Sequence, residues 1–298
     1  MATQQSFVGE GTIYLGLASG GQLREVGQVS EFKVDVSTEE KELKNYQGGG
    51  GIADSISMIS KVEASLNFKS FSKENLALAL RGTTADLASG AVVNESHSAY
   101  LNGYIPLAGV GPTAVTVTVD APAWGALAVK AKGDVVFDGT HFYRATVAGT
   151  TGALAPVWPT DGTTVVDGTV TWKDAGLIAV AASEFTIKSA GIYIPETSTK
   201  FAATATPIKI NYTKTAGINL QALVNAGFEY RIFFDGTNFA NEGSPVTMDL
   251  FRAKFSPTKD LSMLGDDFAG LTLTASVLKD PTKTTTGDSQ FFEMKMVE

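Results

Sequence analysis

The sequence predicts a mainly β protein, a β-sandwich or barrel with one flanking α-helix and an inserted small β module. Most segments alternate apolar and polar residues with a period of two, which is typical of strands that bury one side. Four Asp-Gly pairs, which favour tight hairpin turns, separate such segments: Asp138-Gly139, Asp161-Gly162, Asp167-Gly168 and Asp235-Gly236. The alternation and the turns together favour antiparallel sheets.

The alternation is clearest in four segments. In residues 31–36 the apolar side chains occupy one face of a predicted strand and the charged side chains occupy the other. Residues 62–69, 114–120 and 271–278 repeat the pattern. Each of these segments is therefore predicted to be a strand with one buried and one wet face.

One helix is predicted directly after the second of these strands. Ser72 is placed to cap the free backbone N–H groups, while Phe71 and Leu76 occupy the hydrophobic-staple positions around the cap. Gly82 is well placed to end the helix. A second, weaker helix is predicted over residues 219–225, and both helices are expected to pack against a sheet.

Residues 131–175 differ in composition from the chain on either side. They contain several short segments bounded by glycine, two tryptophans and a loop flanked by prolines. Because the chain before and after reads as ordinary strand, we interpret residues 131–175 as a small, surface-exposed β module inserted into a larger domain of residues 1–130 and 176–298. The repeated Asp-Gly-Thr of this module is interpreted as turn chemistry and not as a duplicated domain.

Residues 37–57 lack strand character in the sequence. A charged run over residues 39–44 leads through Asn45 and Tyr46 into four consecutive glycines at 48–51. This excursion is longer than a hairpin connection needs, and loops of this kind are commonly functional or disordered. We therefore predict a long loop between two strands.

Composition and charge exclude several classes of function. The chain has 298 residues, with 23 Lys+Arg against 31 Asp+Glu and a formal net charge of −8. An acidic balance argues against a surface that binds nucleic acid by neutralising phosphates. The absence of cysteine excludes disulfides and thiolate zinc sites. Because neither a secretory signal nor an apolar run of ~20 residues is visible, a soluble protein is expected.

No motif predicts a catalytic, metal or cofactor site. The glycines at 48–51 are not followed by the Lys-Ser/Thr of a phosphate-binding loop. A Ser-His-Asp arrangement could use only His97 or His141 as its base, and no Gly-x-Ser-x-Gly segment exists. Asp266 and Asp267 fit no calcium-loop pattern. The sequence leaves open a glycosidase site made of two carboxylates that are distant along the chain, but nothing in it supports such a site. The protein is therefore expected not to be an enzyme and to need no cofactor.

The aromatic residues Tyr143, Trp158 and Trp172 in the predicted module have two interpretations. Exposed rings could form a surface that stacks on sugars, which would make the protein a carbohydrate-binding module or adhesin. Alternatively, the rings form the core of a module that has little else apolar to bury. The core interpretation is favoured.

Two regions carry a resemblance to a known family. The segment FSKENLALALRG at residues 71–82, after an alternating strand, resembles the strand-then-helix region of the phage major tail proteins, the tail tube subunits of long-tailed, siphovirus-like bacteriophages. The predicted strands at 230–236, 247–257 and 267–273 follow one another, with a proline-containing turn between them, as the C-terminal strands of this family do. The module at 131–175 is similar to small β decorations of phage structural proteins. The resemblance spans about residues 5–120 and 180–298.

The resemblance implies a structural subunit of the virion, made in the host cytoplasm. Tail tube subunits form hexameric rings whose inner strands join into a continuous barrel around a channel for DNA, and the rings stack. The implied partners are further copies of this chain and the tail terminator, tail tip and tape-measure proteins. Phage DNA would pass through without specific binding, and no membrane is involved.

The resemblance also implies two sets of site residues. A loop between early strands, together with both termini, mediates ring stacking in this family, and the matching loop residues are Asn45, Tyr46, Gln47, Gly48, Gly49, Gly50, Gly51 and Ile52. The residues expected to face the channel are Glu31, Lys33, Asp35, Glu63, Ser65, Asn67 and Lys69. These positions mix lysine with acidic residues, so they do not form a uniformly negative surface.

Overall fold

The computed structural model describes residues 6–297, and the part of the predicted stacking surface that falls on residues 1–5 and 298 lies outside this range. Within residues 6–297 the chain forms 23 β-strands and one α-helix, which confirms the mainly β class. Contacts between residues divide the chain into two compact units. Unit 1 comprises residues 1–85 and 218–298, and unit 2 comprises residues 86–217.

The longest strands lie in unit 1, and most strands of unit 2 are shorter. The first elements are β1 (Gly9–Leu17), β2 (Arg24–Glu25), β3 (Val29–Lys44), β4 (Ile52–Phe68), helix α1 (Lys73–Ala79) and β5 (Thr83–Leu87). The next are β6 (Gly90–Ala99), β7 (Tyr104–Pro106), β8 (Thr113–Val119), β9 (Val129–Lys130), β10 (Val135–Phe137), β11 (His141–Val147), β12 (Gly149–Thr150), β13 (Thr164–Asp167), β14 (Val170–Leu177), β15 (Ala179–Val180), β16 (Thr186–Lys188), β17 (Gly191–Tyr193) and β18 (Thr206–Lys214). The last are β19 (Gly217–Gln221), β20 (Glu229–Asn238), β21 (Ser244–Phe255), β22 (Leu271–Val277) and β23 (Phe292–Met296).

Unit 1 is built on one antiparallel sheet in the order β2-β1-β20-β21-β22-β4-β3, with β23 also paired to β21. Its core is formed by alternate residues of these strands, among them Leu66, Phe68, Ile232 and Leu250, which are fully buried. The sheet is curled. This follows from the distance of 5.9 Å between the ring centroids of Phe32 on the edge strand β3 and Phe234 on β20, two strands that are not neighbours in the sheet. The alternation predicted for residues 62–69 and 271–278 is therefore confirmed.

Helix α1 begins at the predicted cap. The Ser72 side chain accepts a hydrogen bond from the backbone N–H of Asn75 at 3.2 Å. At the other end, Arg81, with φ of 45°, takes the left-handed conformation that the sequence suggested for Gly82. Asn75 lies buried in the first turn, and its amide donates to the carbonyl of Val26 at 2.8 Å, which ties the helix to the sheet.

The predicted helix at 219–225 is wrong. Residues 217–221 form strand β19, which pairs with β5. The following backbone N–H groups of Leu223 and Asn225 donate to the carbonyls of Leu80 and Arg81. Pairing with another segment and with the end of α1 satisfies these groups, and seven residues are too few to form a stable helix without packing support.

The predicted loop at 37–57 is also wrong, because most of it is strand. β3 and β4 form a long antiparallel hairpin whose register runs from Val29 opposite Phe68 to Lys44 opposite Ile52, with the turn at residues 45–51. Both faces of this hairpin are exposed over residues 38–60, so a strand there needs no alternation of apolar and polar residues. The charged residues therefore concealed the strand in the sequence.

Unit 2 contains four further sheets. One is β15-β8-β18-β6, a second is β16-β17-β7, a third is β10-β11-β14-β13, and a two-stranded ribbon joins β12 to β9. The third sheet lies within the predicted module, but Val119 and Ala121 outside that module share a core with Val135 and Phe142 inside it. Residues 86–130 and 176–217 therefore group with the module, whereas the sequence assigned them to the larger domain.

The interpretation of Asp-Gly-Thr as turn chemistry is confirmed at two positions. Asp138 Oδ1 accepts a hydrogen bond from the Thr140 N–H at 2.9 Å, and Asp161 Oδ1 accepts one from the Thr163 N–H at 3.2 Å. At the third position the carboxylate of Asp167 is buried and bonds elsewhere. A carboxylate that accepts a hydrogen bond two residues ahead stabilises the turn locally.

Candidate functional site

The register of unit 1 brings six of the seven predicted channel residues together on one face. Glu31 pairs with Asn67, Lys33 with Ser65, and Asp35 with Glu63. These residues alternate with the buried side of β4, so their side chains leave the sheet on the opposite face, which we name the polar face. The seventh, Lys69, lies just beyond β4, and its ammonium donates to the Phe268 carbonyl at 3.4 Å.

The polar face continues across neighbouring strands. On β22, Thr272, Thr274 and Ser276 lie opposite Asn67, Ser65 and Glu63, and Ser276 lies in turn opposite Lys254 on β21. The surface therefore carries hydroxyls and amides between its charges. Only the long-range strand pairing reveals this, because residues 31–35 and 272–276 are far apart in the sequence.

Five cations on the polar face lie beside carboxylates, while Lys254 on β21 is exposed. The ion pairs are Lys33–Asp35 at 2.8 Å, Lys61–Glu63 at 2.7 Å, Arg231–Asp249 at 2.5 Å, Arg252–Glu229 at 2.8 Å and Lys295–Glu293 at 3.0 Å. The hydrogen bond that Arg231 donates to Asp249 raises the pKa of Arg231, and the one that Lys33 donates to Asp35 raises the pKa of Lys33. Each pair cancels its own charge at short range, so these cations are poorly placed to neutralise phosphates.

The distal part of the β3–β4 hairpin, residues 38–60, extends past its neighbours, and we name it the hairpin arm. β22 pairs with β4 only from Glu63 to Phe68, and the sheet order places β3 at an edge. Large apolar side chains on the arm are exposed, including Leu43, Ile52, Ile56, Met58 and Ile59. Exposed apolar side chains on long unpaired strand edges are the signature of a surface that pairs with another chain.

The predicted stacking residues form the tip of this arm. The turn is closed by a hydrogen bond from the Asn45 N–H to the Gly51 carbonyl at 3.0 Å, and the Asn45 amide donates to the Gly48 carbonyl at 3.0 Å. The four glycines have φ between 71° and 99°, a region that side-chain-bearing residues rarely adopt. Tyr46 is 83% exposed at the tip. The glycine run thus forms the turn of the hairpin.

Sequence reasoning missed the apolar residues of the arm. Ile56 and Met58 alternate with Ser55 and Ser57 and lie on the side of the strand that also holds Ile52, although Asp54 interrupts the apolar series. This period-two pattern was the available signal. The charged run that precedes it and the glycines concealed it.

Two of the three aromatic residues proposed for a sugar-binding surface are buried. Tyr143 and Trp172 are fully enclosed, and the half-buried Trp158 packs on both rings, with centroid distances of 4.2 Å to Tyr143 and 6.2 Å to Trp172. The placement of Tyr143 and Trp172 on the module surface is therefore wrong. They form its core, because a small sheet must bury its largest apolar groups to exclude water from them.

Both histidines pair with a carboxylate. His97 Nε2 lies 2.7 Å from Glu95 Oε1, and His141 Nδ1 lies 2.9 Å from Asp174 Oδ1. Burial alone would raise the pKa of Glu95, but hydrogen bonds from Tyr212, His97 and a backbone N–H outweigh it and lower that pKa. These contacts join strands and loops of unit 2, which gives both histidines a structural role.

Metal-binding clusters and membrane-spanning helices are both absent from residues 6–297. Over residues 6–297, His, Asp and Glu side chains do not converge in a group of three suited to a metal ion. In the same part of the chain, no helix has the length and apolar character needed to cross a membrane.

Acidification tests the turn at Asp138. Burial alone would raise the pKa of Asp138, but hydrogen bonds from Thr140, His141 and Tyr143 outweigh it and lower the pKa from 3.8 to about 2. The folded chain therefore releases this proton more readily than the unfolded chain, so the stabilisation is complete above about pH 4 and is lost as the pH falls towards about 2. We expect the gap in melting temperature between the wild type and Asp138→Ala to narrow over this range, as measured by tryptophan fluorescence. A constant gap contradicts the assignment.

Comparison with known proteins shows the family. The chain belongs to the family described as protein of unknown function UCP028589, whose model matches residues 6–134 and 126–295. No curated protein matches the chain.

Proposed function

We propose that the protein is the structural subunit of a phage tail tube and assembles into stacked hexameric rings that form a conduit for DNA. The observation that carries this proposal is the hairpin arm of residues 38–60. Within residues 6–297 no further strand pairs with either edge of the arm, and several of its apolar side chains are exposed. A strand edge of this length is an aggregation hazard unless another chain covers it. Pairing between identical copies removes the edges by closing a barrel.

The polar face supports passage of DNA through such a conduit. Each lysine or arginine that neutralises a phosphate adds to the affinity for DNA, and a channel must not retain its cargo. On this face the pairs Lys33–Asp35 and Lys61–Glu63 satisfy two of the cations within the chain. The net charge of −8 adds repulsion at longer range.

The tip of the arm supports ring stacking. Asn45 and the glycines form a turn closed by hydrogen bonds, and Tyr46 is exposed to solvent. A large aromatic ring on a pre-organised turn is a good anchor for a protein interface, since little entropy is lost when it is buried. Further copies of the chain are the partner that this arrangement fits best.

Negative-stain imaging of the purified full chain over a range of concentrations tests the proposal. We expect rings about a central hole, and tubes of stacked rings at high concentration or after addition of preformed tubes as seeds. Light scattering on the same samples measures the number of subunits per ring. A protein that stays monomeric under all these conditions refutes the proposal.

A further inference from the structure

Unit 1 contains a cavity of about 570 Å³ beside helix α1. Its apolar lining includes Leu15, Leu78 and Phe255 from the core, together with the exposed rim residues Leu17 and Phe228. A volume in this range suits a small ligand or a few side chains of a peptide. The exposed apolar rim indicates that the occupant is partly apolar.

Two half-buried arginines give the cavity its electrostatic character. Arg24 donates to the Asn75 side-chain oxygen at 2.9 Å, and Arg81 donates to the Phe255 carbonyl at 2.6 Å. Both acceptors are neutral. Burial lowers the pKa of Arg24, and the Glu74 carboxylate on the rim opposes that effect only in part. Guanidinium groups in such surroundings favour an incoming carboxylate, because a charge-assisted hydrogen bond is stronger than a neutral one.

The complementary segment is the loop between β21 and β22. Residues 260–268, with the sequence DLSMLGDDF, carry three aspartates and no lysine or arginine. Leu264 and Phe268 are 94% and 95% exposed, and Met263 is 78% exposed. The loop is held at its base, where the Thr258 N–H donates to the Ala79 carbonyl at 2.7 Å. It is therefore a tethered acidic segment whose apolar side chains are in water.

We infer that residues 260–268 of one copy dock in the cavity beside α1 of a second copy. Leu264 or Phe268 enters the apolar part of the cavity, and Asp266 and Asp267 meet Arg24 and Arg81. This inference rests on the proposed self-assembly and names the contact that joins neighbouring subunits.

The hairpin arm is another segment with exposed apolar side chains next to acidic ones. Its tip region includes Lys41 and Lys44, which would meet Arg24 and Arg81 as like charges. Residues 260–268 bring only carboxylates to the same arginines. Charge complementarity therefore selects the loop over the arm.

Cysteine cross-linking tests the contact cleanly, because the chain has no native cysteine. Leu264→Cys places a thiol on the exposed loop, and Ala77→Cys places one on the α1 side of the cavity. The two single variants are mixed under assembly conditions, oxidised and separated without reductant. We expect a cross-linked dimer in the mixture, and a yield lower by about tenfold when Asp266→Lys and Asp267→Lys are added to the Leu264→Cys chain, because two charge-assisted hydrogen bonds are lost.

Matched mixtures make the result decisive. A mixture of the Leu264→Cys and Val157→Cys chains gives the cross-linking yield that random collision produces, because Val157 is 92% exposed on unit 2. A dimer from Tyr46→Cys with Ala77→Cys, in place of the expected one, assigns the cavity to the arm and overturns the inference. Rings in the electron microscope without the 264–77 cross-link overturn the inference alone. Absence of both rings and cross-links overturns the proposed function as well.

Discussion

We expect removal of the hairpin arm to abolish the proposed rings and tubes and to leave the subunit folded. The variant replaces residues 38–60 with Asn-Gly, which joins the cross-strand pair Ser37 and Lys61 by a two-residue hairpin turn. The buried core of unit 1 contains no residue of the arm, so its melting temperature should change only slightly. Assembly should fail because the unpaired edges and the exposed apolar side chains are gone. Imaging measures assembly, and circular dichroism measures folding.

Point variants provide a matched control for this deletion. Ile56→Ser with Met58→Ser removes two exposed apolar side chains from the arm, and Val147→Ser with Val166→Ser removes two from unit 2. We expect shorter or fewer tubes from the first pair and wild-type tubes from the second. Normal tubes from the arm-deleted chain would show that its edges are not the assembly surface.

Trp172→Ala unfolds the small sheet of unit 2 and leaves unit 1 intact. The Trp172 side chain is fully buried, and its indole N–H donates to the buried Asp167 carboxylate at 3.0 Å. Truncation of a buried tryptophan costs about 3–5 kcal/mol. It also removes one of the donors of Asp167, which keeps those from the Trp124 indole at 2.8 Å and the Gly152 N–H at 2.7 Å.

The tryptophans make this effect easy to localise. Trp124, Trp158 and Trp172 all lie within residues 86–217, so selectively excited tryptophan fluorescence reports on unit 2 alone. We expect the fluorescence transition in denaturant to move to much lower concentration, while circular dichroism retains the transition of unit 1. Trp172→Phe should lose only about 1–3 kcal/mol, because a ring still fills much of the core. An unchanged fluorescence midpoint for Trp172→Ala would restore the surface interpretation of these rings.

Local chemistry made several features of this chain predictable. The cap at Ser72 and the turns at Asp138 and Asp161 depend on residues two or three positions apart. The two faces of β4 and β22 follow from alternation within a single strand. Interactions over so short a span depend little on the rest of the fold, except where burial redirects the side chain, as at Asp167.

Other features resisted prediction for a physical reason. Residues 39–44 carry charges on both faces because both faces are exposed to water. A strand of this kind lacks the apolar side by which a sequence pattern identifies strands. The weak helix pattern at 219–225 gave way to pairing with β5, since tertiary contacts outweigh propensity in a short segment. Residues 86–130 join the module because Val119 and Ala121 pack on Val135 and Phe142, a contact between separate segments.

Reading the residues in order was enough to establish the mainly β class, helix α1, the tight turns and the division of strands 62–68 and 271–277 into a dry and a wet side. Only the tertiary structure decided that the wet sides of β3, β4 and β22 merge into one face, that no further strand pairs with the arm within residues 6–297, and that Trp172 is inside. A period of two defines two faces for each strand, but only the partner strand determines what each face meets.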